Sequence, residues 1–417
     1  MKKRSRIMKT TMATVILLLP TAIFATDGYQ LIGVGAYQKS LAGAVTANPG
    51  TAMTAVSNPA GIAHLGPRVD FSMEAFMPDR NVDFSMMSGK KKESEVDIYG
   101  VPAIGWAAPV SEGSNLFFGG GMYGTSGMGV DYSEVEMMPN IKWDGYSNLS
   151  FWQMAPVLAK KVNDKLSVGG ALNIDYQSVS FDMNVKQGSA TIEKFDLSRT
   201  SSSFGMGFGV GLLYDVSDKV TLGFNYKSKQ NFADLKYQLA KGDITHERTE
   251  MPAGEYKLDL DFPQQAAIGL AFKATPKLTI SGDVKWIDWS STMNKLSLKG
   301  PNNINIPMDP GWKDQKVYAL GVSYAVTDKL NLRGGYNYAS APIDEKNASR
   351  NFLTPAVVES HYTIGADYKL NNHWDLGFHY MHAPKRTVSV ASDDKIAPRS
   401  STSLGVDSFG INVGYSF

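Results

Sequence analysis

The sequence contains no cysteine among its 417 residues and no hydrophobic run long enough to form a membrane-spanning helix. The missing thiols exclude a disulfide scaffold and a thiolate metal site, and their absence suits an exported bacterial protein. An excess of one charge is also lacking, because 41 Lys and Arg residues stand against 40 Asp and Glu residues. The resulting net charge of +1 gives no electrostatic reason to expect nucleic acid as a partner.

The first 25 residues have the composition of a secretory signal peptide. A basic leader precedes the apolar stretch Met12–Leu19, which ends at Pro20, and small residues lie before the expected cleavage site after Ala25. This apolar stretch is far shorter than the roughly 20 residues that a membrane-spanning helix needs. We therefore predict a signal peptide at residues 1–25, which directs the chain to export.

Small and aromatic residues are abundant, with 40 Gly, 19 Tyr, 19 Phe and 7 Trp. A transmembrane barrel needs aromatic side chains at both membrane interfaces and small residues where its lumen is crowded. Trp106, Trp152, Trp286 and Trp289 are accordingly expected to anchor the protein at the interfaces.

Six short turn signals recur along the body of the chain, each containing Asn, Asp, Gly or Pro. They lie at residues 110–115, 162–165, 216–219, 274–277, 326–329 and 370–373. Each signal joins two strand-like runs, and these residue types supply the backbone conformations that tight turns require. Longer polar stretches separate the hairpins at about 124–148, 185–202, 232–253, 290–314 and 340–360.

The six turns divide residues 69–417 into seven segments of strand, long loop and strand, which makes fourteen antiparallel strands. Short turns at one end and long loops at the other are typical of bacterial outer-membrane barrels. Within the last strand, Phe409 and Ile411 share one face while Gly410 and Asn412 share the other, as expected between lipid and a lumen. A soluble β-sandwich can show similar alternation, but seven hairpins behind an export signal favour a barrel. The sequence predicts an all-β membrane protein with a 14-stranded antiparallel transmembrane β-barrel at residues 67–417.

Residues 26–66 do not have the pattern of strands. They are small and polar, contain two Asn-Pro steps and include scattered apolar residues that suit packing. The Asn of each Asn-Pro step disfavours a helix, so any helices should be short. A barrel of fourteen strands has a wide lumen. We predict that this segment folds into the lumen as a plug of short helices; the alternative is a disordered extension in the periplasm.

One motif in this segment resembles the amino-terminal hatch motif of the FadL-type family of outer-membrane long-chain fatty acid and hydrophobic compound transporters. The motif is Ser57–Ala63, centred on Asn58, Pro59 and Ala60. Further similarity to that family occurs upstream and near the carboxyl terminus, at residues 33–37, 41–44, 312–314, 320–324, 332–336, 341–342 and 377–382. The likeness covers nearly the whole mature chain in architecture.

The resemblance implies a monomeric barrel in the bacterial outer membrane whose hatch, residues 26–66, blocks the lumen. It implies that a hydrophobic ligand passes outer loops, enters a pocket near the hatch and leaves sideways, through a kink in the third strand, into outer-membrane lipid. The third strand is expected at about residues 115–123 and contains Gly119, Gly120 and Gly121. Because glycine often marks a bend in a strand, these residues are our candidates for the lateral opening. The alternative is that they make a tight lumen contact without any opening.

The substrate class stays open between long-chain fatty acids and neutral aliphatic or aromatic hydrocarbons. Family members that carry fatty acids use basic lumen residues against the carboxylate, and the candidates here are Lys285 and Arg333. A long acyl chain loses about 0.8 kcal/mol for each CH₂ that moves from an apolar site into water, so a greasy pocket suits it better than a water-filled pore. No energy source is evident, and transport should therefore be passive.

An enzyme and an adhesive or receptor barrel are the two functional classes that compete with transport. An enzyme is not expected, because no nucleophile elbow or dinucleotide loop has its required strand-turn-helix context. His379 and His382 lie three apart on a predicted strand and therefore on opposite faces, so no metal site is predicted and no cofactor is expected. An adhesive or receptor barrel remains an alternative, since long outer loops also suit that role.

Overall fold

The computed structural model describes residues 27–417, without the side chains of residues 125–128. The predicted signal peptide, residues 1–25, lies outside the described residues. Within the described part of the chain, no helix is both long and apolar enough to cross a bilayer.

Fourteen antiparallel strands form a closed barrel, as predicted. Their bounds are β1 Arg68–Asp83, β2 Tyr99–Pro109, β3 Leu116–Met138, β4 Ile141–Lys161, β5 Leu166–Gln187, β6 Ala190–Ser217, β7 Val220–Lys227, β8 Gln265–Thr275, β9 Leu278–Ile287, β10 Gln315–Ala325, β11 Leu330–Ala339, β12 Ser360–Lys369, β13 Trp374–Ser389 and β14 Ser401–Ser416. The first and last strands close the wall, with pairs running from Arg68–Ser416 to Asp83–Ser401. The six predicted turns all lie at one end of the barrel.

The strands β3 to β6 are much longer than predicted, with 23, 21, 22 and 28 residues. The stretches 124–148 and 185–202, expected as long loops, lie mostly inside these strands. Pairing continues to Met138–Ile141 in one hairpin and to Gln187–Ala190 in the other. The prediction was wrong there because polar side chains indicate the absence of lipid, whereas backbone pairing between strands continues regardless of side-chain polarity.

The residues of the wall that face outward are apolar, and the residues that alternate with them along each strand point inward. Phe204, Ile268 and Ile364 are among the most exposed wall residues, at 69%, 64% and 62%. Their strand neighbours Ser203 and Thr363 are buried. This alternation is the one that a strand between lipid and a filled lumen requires.

Residues 27–66, which we call the hatch, lie inside the barrel. They form the helices α1 Gly35–Ser40 and α2 Thr54–Ser57 and the 3₁₀ helix Pro59–His64. Helix α1 contacts β1 and β11 to β14, while the 3₁₀ helix contacts β2 to β6. Glycines on the inner wall leave room for the hatch, because a Cβ there would overlap hatch atoms; they include Gly105, Gly119, Gly121, Gly169, Gly211, Gly223, Gly269, Gly321, Gly335 and Gly365.

The lumen beyond the hatch, on the side of the long loops, is filled by one hydrophobic cluster. We call it the outer apolar cluster; its aromatic members are Tyr29, Phe84, Tyr132, Trp143, Phe151, Phe181, Tyr237, Tyr256, Phe262, Trp289, Trp312 and Phe352. A small sheet in the loops contributes to it, made of Leu235–Leu239, Gly254–Leu258, Ser297–Lys299 and Asn305–Pro307. The remaining loop elements are short strands at Lys91–Glu93, Asn231–Phe232, Ile244–His246 and Thr249–Glu250, helix α3 at Ser290–Met293, and 3₁₀ turns at Ser85–Met87, Pro301–Asn303 and Ala348–Asn351.

Trp289 belongs to this cluster and not to the membrane interface. It is fully buried, its Nε1 donates to Gln315 at 2.9 Å, and its ring lies 5.0 Å from that of Trp312. The expected interfacial role was wrong for this residue, because an isolated tryptophan at the end of a strand has the same local sequence whether it points outward or inward. Trp152, by contrast, is exposed on the outer wall.

Candidate functional site

Asn58 joins two parts of the hatch to the barrel wall. Its Nδ2 donates to the carbonyl oxygens of Thr46 and Leu212, at 2.7 and 3.1 Å, and its Oδ1 accepts from the Ala60 amide at 3.2 Å. Asn58 thereby caps the 3₁₀ helix, and Pro59 takes the first helical position, where a missing amide hydrogen costs nothing. The three residues of the motif therefore fold and fasten the hatch at one point.

The motif rests on two glycines of the wall. A Cβ at Gly211 would overlap the Asn58 side chain and Pro59, and a Cβ at Gly169 would overlap the backbone between Pro59 and Ala60. Because only glycine leaves this space, β5 and β6 form a flat surface on which the motif docks directly.

We expect Asn58→Ala to loosen this side of the hatch. The change removes the helix cap, which contributes about 1 kcal/mol, and also both bonds to carbonyl oxygens. Amide hydrogen exchange in residues 54–64 should therefore speed up roughly tenfold. Asn48→Ala is the matched control, because that amide donates one side-chain bond, to Ser281 at 2.9 Å. Equal exchange in the two variants would contradict a special role for the motif.

Charged groups of the wall hold the other parts of the hatch. Asp283 accepts from the amides of Val45 and Thr46, at 3.0 and 2.8 Å. On α1, the Lys39 ammonium lies 3.0 Å from Glu74 of β1, and both side chains are almost fully buried. Charge-assisted bonds of this kind are stronger than neutral ones. The hatch is thus fastened all around the lumen.

Two small cavities lie on either side of the hatch segment Gly28–Ile32. The first has a volume of about 70 Å³ and is mostly apolar; it is lined by Phe76, Val101, Met381 and Val406 and by the basic residues Lys39, Arg80 and His361. The second has about 80 Å³ and is lined by Tyr123, Asn225, Lys227, Gln265 and Lys285. Sites for drug-sized ligands usually have about 300–1,000 Å³. A long ligand therefore fits only if the segment that separates the cavities moves.

Lys285, one of the two predicted basic candidates, lines the second cavity. Its Nζ lies 2.7 Å from the Asp27 carboxylate, so a residue at the beginning of the hatch already pairs with this ammonium group. The second lysine of this cavity, Lys227, was missed by sequence reasoning. Its Nζ donates to Gln153 at 2.8 Å and to Tyr123 at 3.1 Å, and it makes no ion pair within the described residues. Nothing local distinguishes it, because the run 227–229 resembles an ordinary loop.

Arg333, the other predicted candidate, lies elsewhere. It forms an ion pair with Asp367, and its guanidinium stacks on the Tyr37 ring at 4.3 Å. It lies near the short turn at 326–329, and it lines neither cavity. The structure thus does not bring Lys285 and Arg333 together.

Gly119, Gly120 and Gly121 lie on the third strand, where the ladder is continuous on both sides. A Cβ at Gly119 would come within 3.0 Å of Ile62, and a Cβ at Gly121 within 2.8 Å of Val56. Two of these glycines therefore leave room for the hatch.

An interruption of the wall begins two residues further along β3. The ladder between β2 and β3 stops at the pair Ala103–Tyr123, next to Pro102, which has no amide hydrogen to donate. On the other side of β3, the register with β4 shifts between Gly124 and Ser126. Beyond the interruption the Glu95 amide donates to the Asp131 carbonyl at 2.8 Å. We call the stretch where β2 and β3 do not pair with each other, residues 99–102 of β2 and 124–129 of β3, the strand gap; each strand stays paired there with its other neighbour.

The strand gap borders both cavities. Val101 and Gly129, which belong to it, line the first cavity, and Tyr123, which adjoins it, lines the second. The sequence carries a signal for this gap that was missed, since a proline within β2 lies opposite the glycine-rich run 124–129. Prolines in sheets are confined to edges, strand starts and bulges.

Comparisons with known proteins agree with this architecture. A sequence model of the family described as "Outer membrane protein transport protein (OMPP1/FadL/TodX)" matches residues 23–417. Outer membrane protein P1 of Haemophilus influenzae is 23% identical over 359 residues, which are 76% of this chain and 75% of that protein. A long-chain fatty acid transport protein of Escherichia coli O6:H1 is 25% identical over 228 residues, or 51% of this chain and 50% of that one.

A solved structure, the toluene transporter TodX of P. putida, superposes with a TM-score of 0.73 at 18% identity, covering 93% of this chain and 99% of that one. At this identity the superposition supports the fold alone. The family match, however, spans almost the entire sequence. The chain therefore belongs to the OMPP1/FadL/TodX family of transport proteins, which carry hydrophobic compounds across the bacterial outer membrane.

Proposed function

We propose that this protein, acting as a monomer, carries long-chain fatty acids passively across the outer membrane. The observation that carries the proposal is the second cavity, which is lined by Lys227 and Lys285 and by Tyr123 at the edge of the strand gap, while the outer apolar cluster fills the lumen beyond the hatch. Hydrophobic surface for an acyl chain and cationic groups for a carboxylate thus occur together at the level of the hatch.

The beginning of the hatch supports a carboxylate as the ligand's head group. The Asp27 carboxylate already binds Lys285, and Lys227 has no ion-pair partner among the described residues. A fatty acid carboxylate could replace Asp27 and engage both lysines. This exchange would release the segment Gly28–Ile32, which separates the two cavities.

The neighbourhood of Tyr29 supports a hydrophobic tail. Its ring lies 5.2 Å from that of Phe262, 4.6 Å from that of Trp289 and 5.3 Å from that of Trp312. If the segment moves, Tyr29 leaves an apolar space lined by these three rings. Because each buried CH₂ of an acyl chain contributes about 0.8 kcal/mol, such a space would hold a long chain without exposing it to water.

For the exit, we propose the strand gap. Gly119–Gly121, our candidates from the sequence, lie close to it, but the pairing between β2 and β3 ends only at Tyr123. A sideways exit keeps the acyl chain out of water, and downhill diffusion into the membrane needs no energy source.

A neutral hydrocarbon is the second candidate substrate. It is favoured by the aromatic character of the outer apolar cluster and by the similarity in fold to a toluene transporter. The lysines of the second cavity have no role in that case, which separates the two candidates by experiment.

The test compares uptake of labelled oleate and labelled hexadecane by cells that lack the chain and cells that regain it. We expect the chain to restore oleate uptake, and Lys227→Met to lower it severalfold while hexadecane uptake stays unchanged. Lys273→Met, which removes an exposed lysine of β8, is the matched control. Restoration of hexadecane uptake alone would favour the hydrocarbon. If the chain restores uptake of neither compound, the proposal that it transports these substrates is wrong, and an adhesive or receptor role becomes the better hypothesis.

A further inference from the structure

Arg80 of β1 is a buried cation that has no counterion among the residues that the structure describes. Its side chain points into the lumen and only 3% of the residue is exposed. It donates to the Val96 carbonyl and, at 3.5 Å, to the Tyr99 hydroxyl, and its guanidinium lies 5.6 Å from the Tyr99 ring. Within the described residues it forms no ion pair, and its Nε has no hydrogen-bond partner.

Three other basic groups of the lumen have a counterion, whereas Lys227, like Arg80, forms no ion pair within the described residues. Lys39 pairs with Glu74, Lys285 with Asp27, and Arg333 with Asp367. Burying an unpaired charge is strongly unfavourable, and a paired, hydrogen-bonded arrangement is the usual remedy. A carbonyl and one long bond to a phenol satisfy Arg80 only in part, so the site is better suited to a state in which an anion is present.

The position of Arg80 indicates where such an anion would come from. Arg80 lines the first cavity together with apolar side chains of three strands, Phe76, Pro78, Val101, Leu404 and Val406. Its two polar partners, Val96 and Tyr99, lie on the β2 side of the strand gap, and the Tyr99 hydroxyl donates across the gap to the Gly129 carbonyl at 3.1 Å. The cavity is mostly apolar, its other basic residues are Lys39, which pairs with Glu74, and His361, and a site of this kind beside the gap suits an amphiphile with an anionic head.

We propose that Arg80 is a carboxylate-binding residue at the strand gap, where it holds the head group of the fatty acid as the molecule leaves the lumen. This inference rests on the proposed function and adds a second cationic position, separate from Lys227 and Lys285 of the second cavity. The planar guanidinium can bind a carboxylate through two parallel bonds, and its free Nε supplies one of them. The gap thereby prefers anionic over neutral amphiphiles of equal length.

Equilibrium dialysis of the purified full-length barrel in non-ionic detergent tests the proposal, with labelled oleate and its neutral ester methyl oleate as probes. In a Lys227→Met barrel, which weakens the carboxylate site of the second cavity, we expect the added Arg80→Met to weaken oleate binding at least about tenfold, because one partner of a buried charge pair is lost. Methyl oleate binding should change less than about twofold, since the ester has no charge to lose. Arg199→Met, at an exposed position of β6, is the matched control and should leave both affinities unchanged.

Arg80→Gln is the second variant, for use if Arg80→Met does not fold, because the glutamine amide can still donate to the Val96 carbonyl. The proposal is overturned if a folded Arg80 variant binds oleate as tightly as the Lys227→Met barrel that carries it, or if oleate and methyl oleate weaken equally. In both cases wild-type binding of oleate leaves the proposed function standing. Absence of oleate binding to the wild type would instead overturn the fatty acid proposal and the Arg80 proposal together.

Discussion

An oxidised variant carrying Ala55→Cys and Gly121→Cys is expected to lose most of its oleate uptake and to recover it after reduction. The two positions join α2 of the hatch to β3, beside the strand gap. A Cβ at Gly121 would lie 3.9 Å from the Ala55 Cβ, within the range of about 3.5–4.5 Å that disulfides require. The Val56 side chain, 2.8 Å from the new Cβ, must rotate slightly.

The expected loss follows from what the closed structure lacks. Cavities of about 70 and 80 Å³ cannot hold an acyl chain, so uptake requires a hatch that moves. A disulfide favours the docked hatch by about 2–4 kcal/mol, and uptake should therefore fall at least about tenfold. Because the natural chain has no cysteine, no other disulfide competes with the introduced one.

A wall-to-wall disulfide is the control for this experiment. Ala171→Cys with Gly209→Cys joins β5 to β6 at a similar Cβ separation of 3.6 Å but leaves the hatch free. This pair should form a disulfide and keep normal uptake. Full uptake by the oxidised Ala55–Gly121 variant would mean that ligands pass without hatch movement near β3, and equal loss in both variants would indicate rigidity of the wall instead.

The architecture of the wall was predictable because its signals are local. Each short turn carries its own Asn, Asp, Gly or Pro, and each lipid-facing strand repeats with a period of two. Some strands continue beyond the lipid, as β3 does after residue 124 and β4 does at its beginning. There, apolar and polar residues no longer alternate along the strand. The sequence then resembles a loop although the backbone stays paired.

The lumen was predictable only in part, because its contacts join residues far apart in the chain. The ion pair of Asp27 with Lys285 spans 258 positions, and Asn58 reaches Leu212 across 154. Lys227 and Arg80 carry no local pattern that separates them from surface charges. The hatch motif was recognisable because Asn58, Pro59 and Ala60 serve one short helix start, which is again a local feature.

Lys39→Met is expected to weaken docking of α1 more than any other single change in the hatch. It leaves the Glu74 carboxylate buried without its ammonium partner, and breaking a buried pair in this way costs about 3–5 kcal/mol. The Met side chain can retain the packing of the lysine stem on the Phe76 ring, which lies 6.0 Å from the Lys39 ammonium. Amide exchange in residues 35–40 should accelerate by two orders of magnitude or more, and cells should become sensitive to large antibiotics that intact barrels exclude.

The double variant Lys39→Met with Glu74→Met decides whether the charge pair is the cause. Replacing both partners of a buried ion pair by apolar groups is often neutral or stabilising, so slow exchange should return. The His379 Nε2 lies 4.0 Å from Glu74, which is beyond hydrogen-bond distance, so it does not satisfy the carboxylate in the place of the lysine. If the double variant exchanges as fast as Lys39→Met, the loss comes from α1 packing and not from an unpaired carboxylate. A rescued double variant would mean that one buried charge holds this side of the hatch, which a ligand carboxylate could release by competing for the lysine.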